Sequence, residues 1–161
     1  MWVDSLRPAM QRVMAQGTFD ILHPGHVHYL ESSAALGDEL VVVIARDGRV
    51  RTRKDLFMDE ESRRRVVQAL GCVDRAVLGS EGDLFDSVAA IEPDVITLGY
   101  DQQFEPEDLE VDLADAGFPD VEVVRIDQGP PEVVSSSSDV KARLRGVHGE
   151  AAFRSVAGED G

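Results

Sequence analysis

The chain has 161 residues, 43% of them hydrophobic and 29% charged, enough for one globular core and too few for two ordinary domains. Thirty-one Asp and Glu against sixteen Lys and Arg leave a formal charge of −15, a field that repels nucleic acid and argues against such a partner. No apolar run approaches the ~18–20 residues of a membrane span, and residues 1–11 lack the basic start and apolar middle of a signal peptide, so a soluble cytoplasmic protein without a membrane partner is expected.

Only Lys54 and Lys141 among the basic residues are lysine; the other fourteen are arginine. So acidic and Lys-poor a chain suggests a high-salt cytoplasm, where the Debye length falls to ~3 Å at 1 M and self-repulsion is screened. Cys72 is the single cysteine. It allows no internal disulfide and no Cys-rich metal site, and it reads as a small, buried apolar residue.

In chain order, residues 1–11 read as an N-terminal extension, with Met10 an alternative start. Residues 11–16 are a short strand running into Gly17. Residues 26–36 form a helix, with Gly37 placed as its C-cap. Residues 39–45 are a β-branched apolar run, so a buried strand. Residues 59–70 are helical and open on an acidic cluster that suits a helix N-terminus. A strand over 73–78, a helix over 83–91 and a strand over 94–98 ending in Gly99 follow. A helix over 106–116 closes at Gly117, then come a strand over 121–126 and a short last helix over 137–144. Residues 146–161 read as a polar, loose tail, leaving 12–145 as the domain.

Strands separated by single helices pair in parallel through right-handed crossovers. Five of them make a doubly wound α/β sheet with helices on both faces. Ligands then bind at the carboxyl ends of the strands, where strand order reverses. The loops after Gln16, Ala45 and Leu98 should therefore share one cleft.

The segment Gly17-Thr18-Phe19-Asp20-Ile21-Leu22-His23-Pro24-Gly25-His26 ends the first strand and opens the first helix. Gly17 lets backbone approach a ligand closely. Pro24 suits a helix start, where a missing N–H costs nothing, and Gly25 keeps the helix mouth open. The free N–H groups and positive dipole end of that helix favour phosphate. His23 and His26 flank the turn and can aim two ring N–H donors at the same phosphate oxygens. Neither G-x-G-x-x-G nor G-K-[ST] occurs, so this is neither a dinucleotide fingerprint nor a Walker A loop. No closed zinc site is expected from the two His alone. His28 is expected at solvent or a substrate edge.

Residues 17–30 resemble the signature of the H-x-G-H nucleotidyltransferase superfamily, in its small cytidylyltransferase-like branch. Further similarities follow in order: Ala45-Arg46-Asp47, Arg53-Lys54, Glu60-Glu61-Ser62-Arg63-Arg64, Leu98-Gly99-Tyr100-Asp101-Gln102 and Ser136-Ser137-Ser138-Asp139-Val140-Lys141. The resemblance covers residues 12 to about 145. The Leu-Gly-x-Asp-Gln form and the Ala-Arg-Asp strand ending resemble the archaeal FAD synthases. Two departures from the cytidylyltransferase pattern stand out: residues 129–132 carry no Arg, and Asp139 adds a charge beside the serines.

The resemblance implies adenylyl transfer from ATP to FMN, giving FAD and pyrophosphate with no protein nucleophile. It implies that His23, His26, Lys54 (or Arg53) and Arg63 act on the phosphates. Gly17, Thr18, Phe19 and Gly25 would line the cradle, and Gly99 and Asp101 would meet the nucleoside. Ser136, Ser137 and Ser138 would hold the β- and γ-phosphates. A divalent ion, Mg²⁺ for preference, is expected with the polyphosphate, with no protein ligand assigned. Asp20 is expected to anchor the motif loop through backbone N–H groups, with an outer-shell metal contact as the lesser role. Phe57, Phe104 and Tyr100 are the aromatics nearest the site; Phe57 and Phe104 read as core. A homodimer is compatible with the resemblance.

The alternatives are a glycerol-3-phosphate (or related polyol-phosphate) cytidylyltransferase and, in another class, a non-catalytic nucleotide-binding sensor. The composition also sets a test of habitat. The protein is expected to unfold on transfer to low salt and to refold in molar KCl, followed by circular dichroism; a melting midpoint indifferent to KCl would remove the halophile reading.

Overall fold

The apolar runs of the sequence become five parallel strands because each is long enough only to cross a sheet and is bounded by turn-forming residues. The computed structural model describes residues 10–50, 56–129, 140–142 and 144. Arg53, Lys54, Ser136, Ser137, Ser138 and most of the two terminal segments lie outside them. The elements are β1 (Arg12–Gly17), α1 (Pro24–Ala34), β2 (Glu39–Ile44), α2 (Asp47–Val50), α3 (Glu60–Gln68), β3 (Arg75–Leu78), α4 (Leu84–Ile91), β4 (Val95–Leu98), α5 (Pro106–Asp115) and β5 (Glu122–Arg125). Residues 140–142 and 144 are helical.

The sheet order is β3-β2-β1-β4-β5, every pair parallel. Order reverses between β1 and β4, which makes their carboxyl ends the switch point. Alternation along the strands feeds a core on each face. Val13, Ala15, Val42 and Ile44 pack with Leu30 of α1 and Val67 of α3. Met14, Val41, Val43 and Ile96 pack with Val88 of α4 and Leu113 of α5. In β2, Leu40 through Ile44 are all buried, which accounts for its unbroken apolar sequence.

Three local features differ from the sequence expectation. First, α1 begins at Pro24 with His23 as its N-cap, two residues earlier than expected. Second, Gly37 does not cap α1, whose C-cap is Ala35 in right-handed geometry (φ −66°). A Cβ at position 37 would lie 2.7 Å from the Gln11 carbonyl oxygen, so close passage beneath β1 requires the glycine. Third, the single turn α2 was not anticipated. The acidic start expected at 59 supplies an N-cap, Asp59 accepting from Ser62 N at 2.7 Å, and Asp83 caps α4 in the same way, accepting from Asp86 N at 3.3 Å.

One feature of the sheet opens the site. β1 pairs with β2 along its whole length, but with β4 only at Val13↔Val95 and Met14↔Ile96. Beyond that point the strands part, and Tyr29 of α1 fills the gap. Its hydroxyl donates to Thr97 O at 2.8 Å and lies 3.4 Å from the Gln16 amide, which donates to it. The phenol thus stands where a strand-to-strand bond would otherwise run. Ser33 completes the tie, donating to Tyr29 O at 2.7 Å and lying 2.8 Å from Thr97 Oγ1. Burial, partly offset by the Thr97 and Gln16 bonds, pushes the Tyr29 phenol up to about 12, so it stays a neutral donor.

Candidate active site

The loop leaving β1 is shaped by one residue in left-handed backbone. Phe19 sits at φ 53°, a conformation a bulky side chain adopts only under constraint. Its buried ring lies over Gly17, where a Cβ would approach the ring carbons to 2.8 Å. This is why the motif needs glycine there. Downstream, His23 caps α1 by accepting from the Gly25 amide through Nδ1 at 3.0 Å. In the neutral ring the proton then resides on Nε2, which becomes a donor. The His26 ring stacks on His23 with centroids 3.8 Å apart and planes 26° from parallel. The Phe19 ring meets His26 edge-on at 5.2 Å. The structure thus brings His23 and His26 together at the helix N-terminus, where backbone N–H groups and the dipole favour anions.

Arg63 requires a correction. The resemblance implied a side chain on the triphosphate. The residue has no exposed surface. Its Nε donates to Met58 O at 3.2 Å, Nη1 to Thr18 O at 2.7 Å, and Nη2 to Ala45 O at 2.9 Å and Asp47 Oδ1 at 2.6 Å. One guanidinium joins the loop after β1, the loop after β2 and the approach to α3. Thr18 O belongs to the peptide plane whose rotation is the φ of Phe19, so Arg63 holds the strained turn on which the Phe19 ring depends.

Asp20 performs a similar task from the motif side. It is buried, and its carboxylate accepts from Phe57 N at 2.9 and 3.0 Å and from Met58 N at 3.0 Å, with Lys141 Nζ at 3.2 Å. Burial works against the charge, but the two amides and Lys141 outweigh it and hold the carboxyl below its ordinary 3.8. The amides come from the segment before α3, not from the motif loop itself. Phe57 and Phe104, expected in the core, are 57% and 55% exposed, and Lys141 Nζ lies 5.1 Å from the Phe57 ring centre.

Across the switch point, the loop after β4 carries Gly99 and the exposed Tyr100 and Asp101. Gly99 N donates to Gln102 Oε1 at 2.9 Å. Arg125 of β5 donates to Gly99 O at 3.0 Å, to Gln102 O at 2.9 Å and to Phe104 O. His28 is half-buried, with Nε2 3.2 Å from Asp127 O; it meets the chain beyond β5, not open solvent. Cys72 is partly buried against the α1–α3 core, and burial raises its thiol.

Among the described residues no three of His, Cys, Asp and Glu converge as a metal site, and none of the described helices is long and apolar enough to cross a membrane. Asp20, the motif carboxylate, is already engaged by Phe57, Met58 and Lys141, so the residues described do not form a resident ion's cage. Sequence reasoning missed Arg125 and gave no role to Tyr29 and Asp47, although both lie in the motif segments. The signal for Tyr29 was an aromatic hydroxyl inside the motif helix; an Arg closing a strand carries no such signal.

These features define an α/β nucleotidyltransferase, and the cytidylyltransferase-like family model matches residues 14–143. The chain belongs to that family. Its relatives include the FAD synthase of Methanosarcina barkeri, 52% identical over 73% of this chain and 84% of that protein. The FAD synthase of Methanothrix thermoacetophila is 50% identical over 86% of this chain and 96% of its own. A solved structure from Thermoplasma volcanium, described as a lipopolysaccharide core biosynthesis protein, is 51% identical with a TM-score of 0.71, covering 74% of this chain and 98% of that one.

Two outcomes follow from the buried charges. Arg63→Met strands four acceptors and is expected to lower stability by about 3–5 kcal/mol, measured by urea unfolding; a variant within about 0.5 kcal/mol of wild type would refute the clamp. Because the Asp20 carboxyl is depressed in the fold, its contribution is complete above pH 3.8 and is lost as pH falls through its lower folded value. Asp20→Asn should therefore be less stable than wild type at pH 7, and the gap in melting midpoint should shrink below pH 3.8. A gap independent of pH would contradict this.

Proposed function

We propose that the protein is an FAD synthase: it transfers AMP from ATP to FMN, forming FAD and releasing pyrophosphate. The observation that carries the reading is the stacked imidazole pair at the α1 N-terminus, and relatives bearing that name over most of the chain support it. An FMN phosphate oxygen attacks the α-phosphorus of ATP while the bond from that phosphorus to the bridging β-phosphate oxygen breaks. No covalent enzyme intermediate is needed, so rate comes from positioning and charge stabilisation.

The roles are proposed from residue chemistry and the family resemblance. His23, fixed as a donor at Nε2 by its own N-cap bond, and His26 stabilise charge growing on the α- and β-phosphates. Gly17, Thr18, Phe19 and Gly25 form the backbone cradle, with Arg63 and Asp20 positioning it from behind. Gly99 and Asp101 take the nucleoside. Lys54 or Arg53 serves the attacking and leaving phosphates, and Ser136, Ser137 and Ser138 the β- and γ-phosphates. A divalent ion enters with the triphosphate as part of the substrate and screens its charge. The acidic, Lys-poor composition fits a cytoplasm rich in salt.

His26→Ala is expected to lower kcat by ~10²-fold or more with the fold intact. Chromatographic FAD yield and far-ultraviolet circular dichroism check the two halves of that statement. In a screen of each nucleoside triphosphate against FMN and glycerol-3-phosphate at high KCl, FAD is the expected product. Exclusive formation of CDP-glycerol, or ATP binding without pyrophosphate release, would overturn the proposal.

A further inference from the structure

The loop after β4 is held in a way its nucleotide-binding role alone does not explain. Arg125 spends its guanidinium on three carbonyl oxygens of one short turn, those of Gly99, Gln102 and Phe104. The Gly99 amide is closed off by Gln102 Oε1 at 2.9 Å, and Gly99 O also accepts from Gln102 N at 3.2 Å. The polar backbone of Gly99 is therefore consumed inside the loop. What the turn presents outward is side chains: Tyr100, Asp101 and Phe104 are all exposed, and Asp101 Oδ1 hangs 3.2 Å from where a Gly99 Cβ would stand.

Arg125 also bonds differently from the arginines that make ion pairs in this chain. Arg12, Arg46, Arg63 and Arg64 each pair with a carboxylate. Arg125 makes no such pair among the described residues, although the protein carries 31 acidic side chains. A planar guanidinium is a rigid fork, and bonded to carbonyls it retains its full charge. It fixes loop shape.

We infer that Arg125, with Gln102, is a positioning residue that pre-forms the turn after β4 for the base and ribose of the nucleotide substrate. The inference rests on the proposal that this turn takes the nucleoside. It goes further in assigning ATP affinity to a strand β5 side chain that the sequence motifs do not contain. A loop ordered before binding spares the ligand the cost of ordering it. Releasing it should therefore weaken ATP and leave FMN largely unaffected.

The test measures binding of α,β-methylene-ATP by calorimetry, which needs no turnover, alongside KM for ATP and for FMN in the complete reaction. Arg125→Met is expected to weaken the analogue roughly tenfold and to raise KM for ATP in parallel, with KM for FMN within about twofold of wild type. Arg125→Lys, which cannot span three carbonyls, should fall between. Gln102→Ala, a milder change at a half-buried site, should weaken the analogue by about threefold and decides the matter if Arg125→Met does not fold. Analogue binding equal to wild type in Gln102→Ala and in the folded Arg125 variants would overturn the inference. So would a joint rise of both KM values with a fallen melting midpoint, the mark of a merely structural role. A wild-type protein that binds the analogue yet makes no FAD would sink the assigned reaction, while the binding comparison would still decide the role of Arg125.

Discussion

The site depends on a charge that never meets solvent. Burying an ionised guanidinium costs several kcal/mol unless every donor is matched. Arg63 meets that condition with three carbonyls and the Asp47 carboxylate. The match can be made only if the loops after β1 and β2 and the approach to α3 stand in one relation to each other. The guanidinium thus converts three independent connections into one body. Its bond to Thr18 O sets the plane that turns Phe19 to φ 53°, and the Phe19 ring then bears on Gly17 and His26. Imidazole placement is accordingly decided by a residue on the third helix.

Asp20 mirrors this arrangement with the opposite sign. It draws the backbone at Phe57 and Met58 toward the motif loop and takes Lys141 as counter-charge. Between the two, the short connection before α3 is gripped from both sides. The Phe57 ring is nonetheless left mostly in solvent, so rigidity of the backbone here is not bought with core packing.

Much of this was legible in the sequence. The strand and helix periods, the acidic start of the helix at 59 and the Pro-Gly pair at the first helix start all act locally, and local rules recover them. The His pair was legible for the same reason: both residues lie on one turn. What escaped were features decided by distant partners. Gly37 looked like a helix cap, but its need comes from the Gln11 carbonyl. Arg63 stood in a run of three arginines, and nothing local distinguishes the one that turns inward. Phe57 and Phe104 looked like core by composition, while the carboxylate of Asp20 and the guanidinium of Arg125 hold their backbones at the surface. Arg125 itself ends an edge strand and meets its acceptors 21–26 residues away.

The brevity of the β1–β4 ladder has a mechanical corollary. With two paired positions there against six between β1 and β2, the carboxyl half of the β1–β4 joint is tied by the Tyr29, Ser33 and Thr97 hydroxyls. The imidazoles ride on one wing and the Arg125-braced turn on the other. Under the proposed function a nucleotide laid across both would act as a splint, and the amides bordering that joint should then gain the most protection from deuterium.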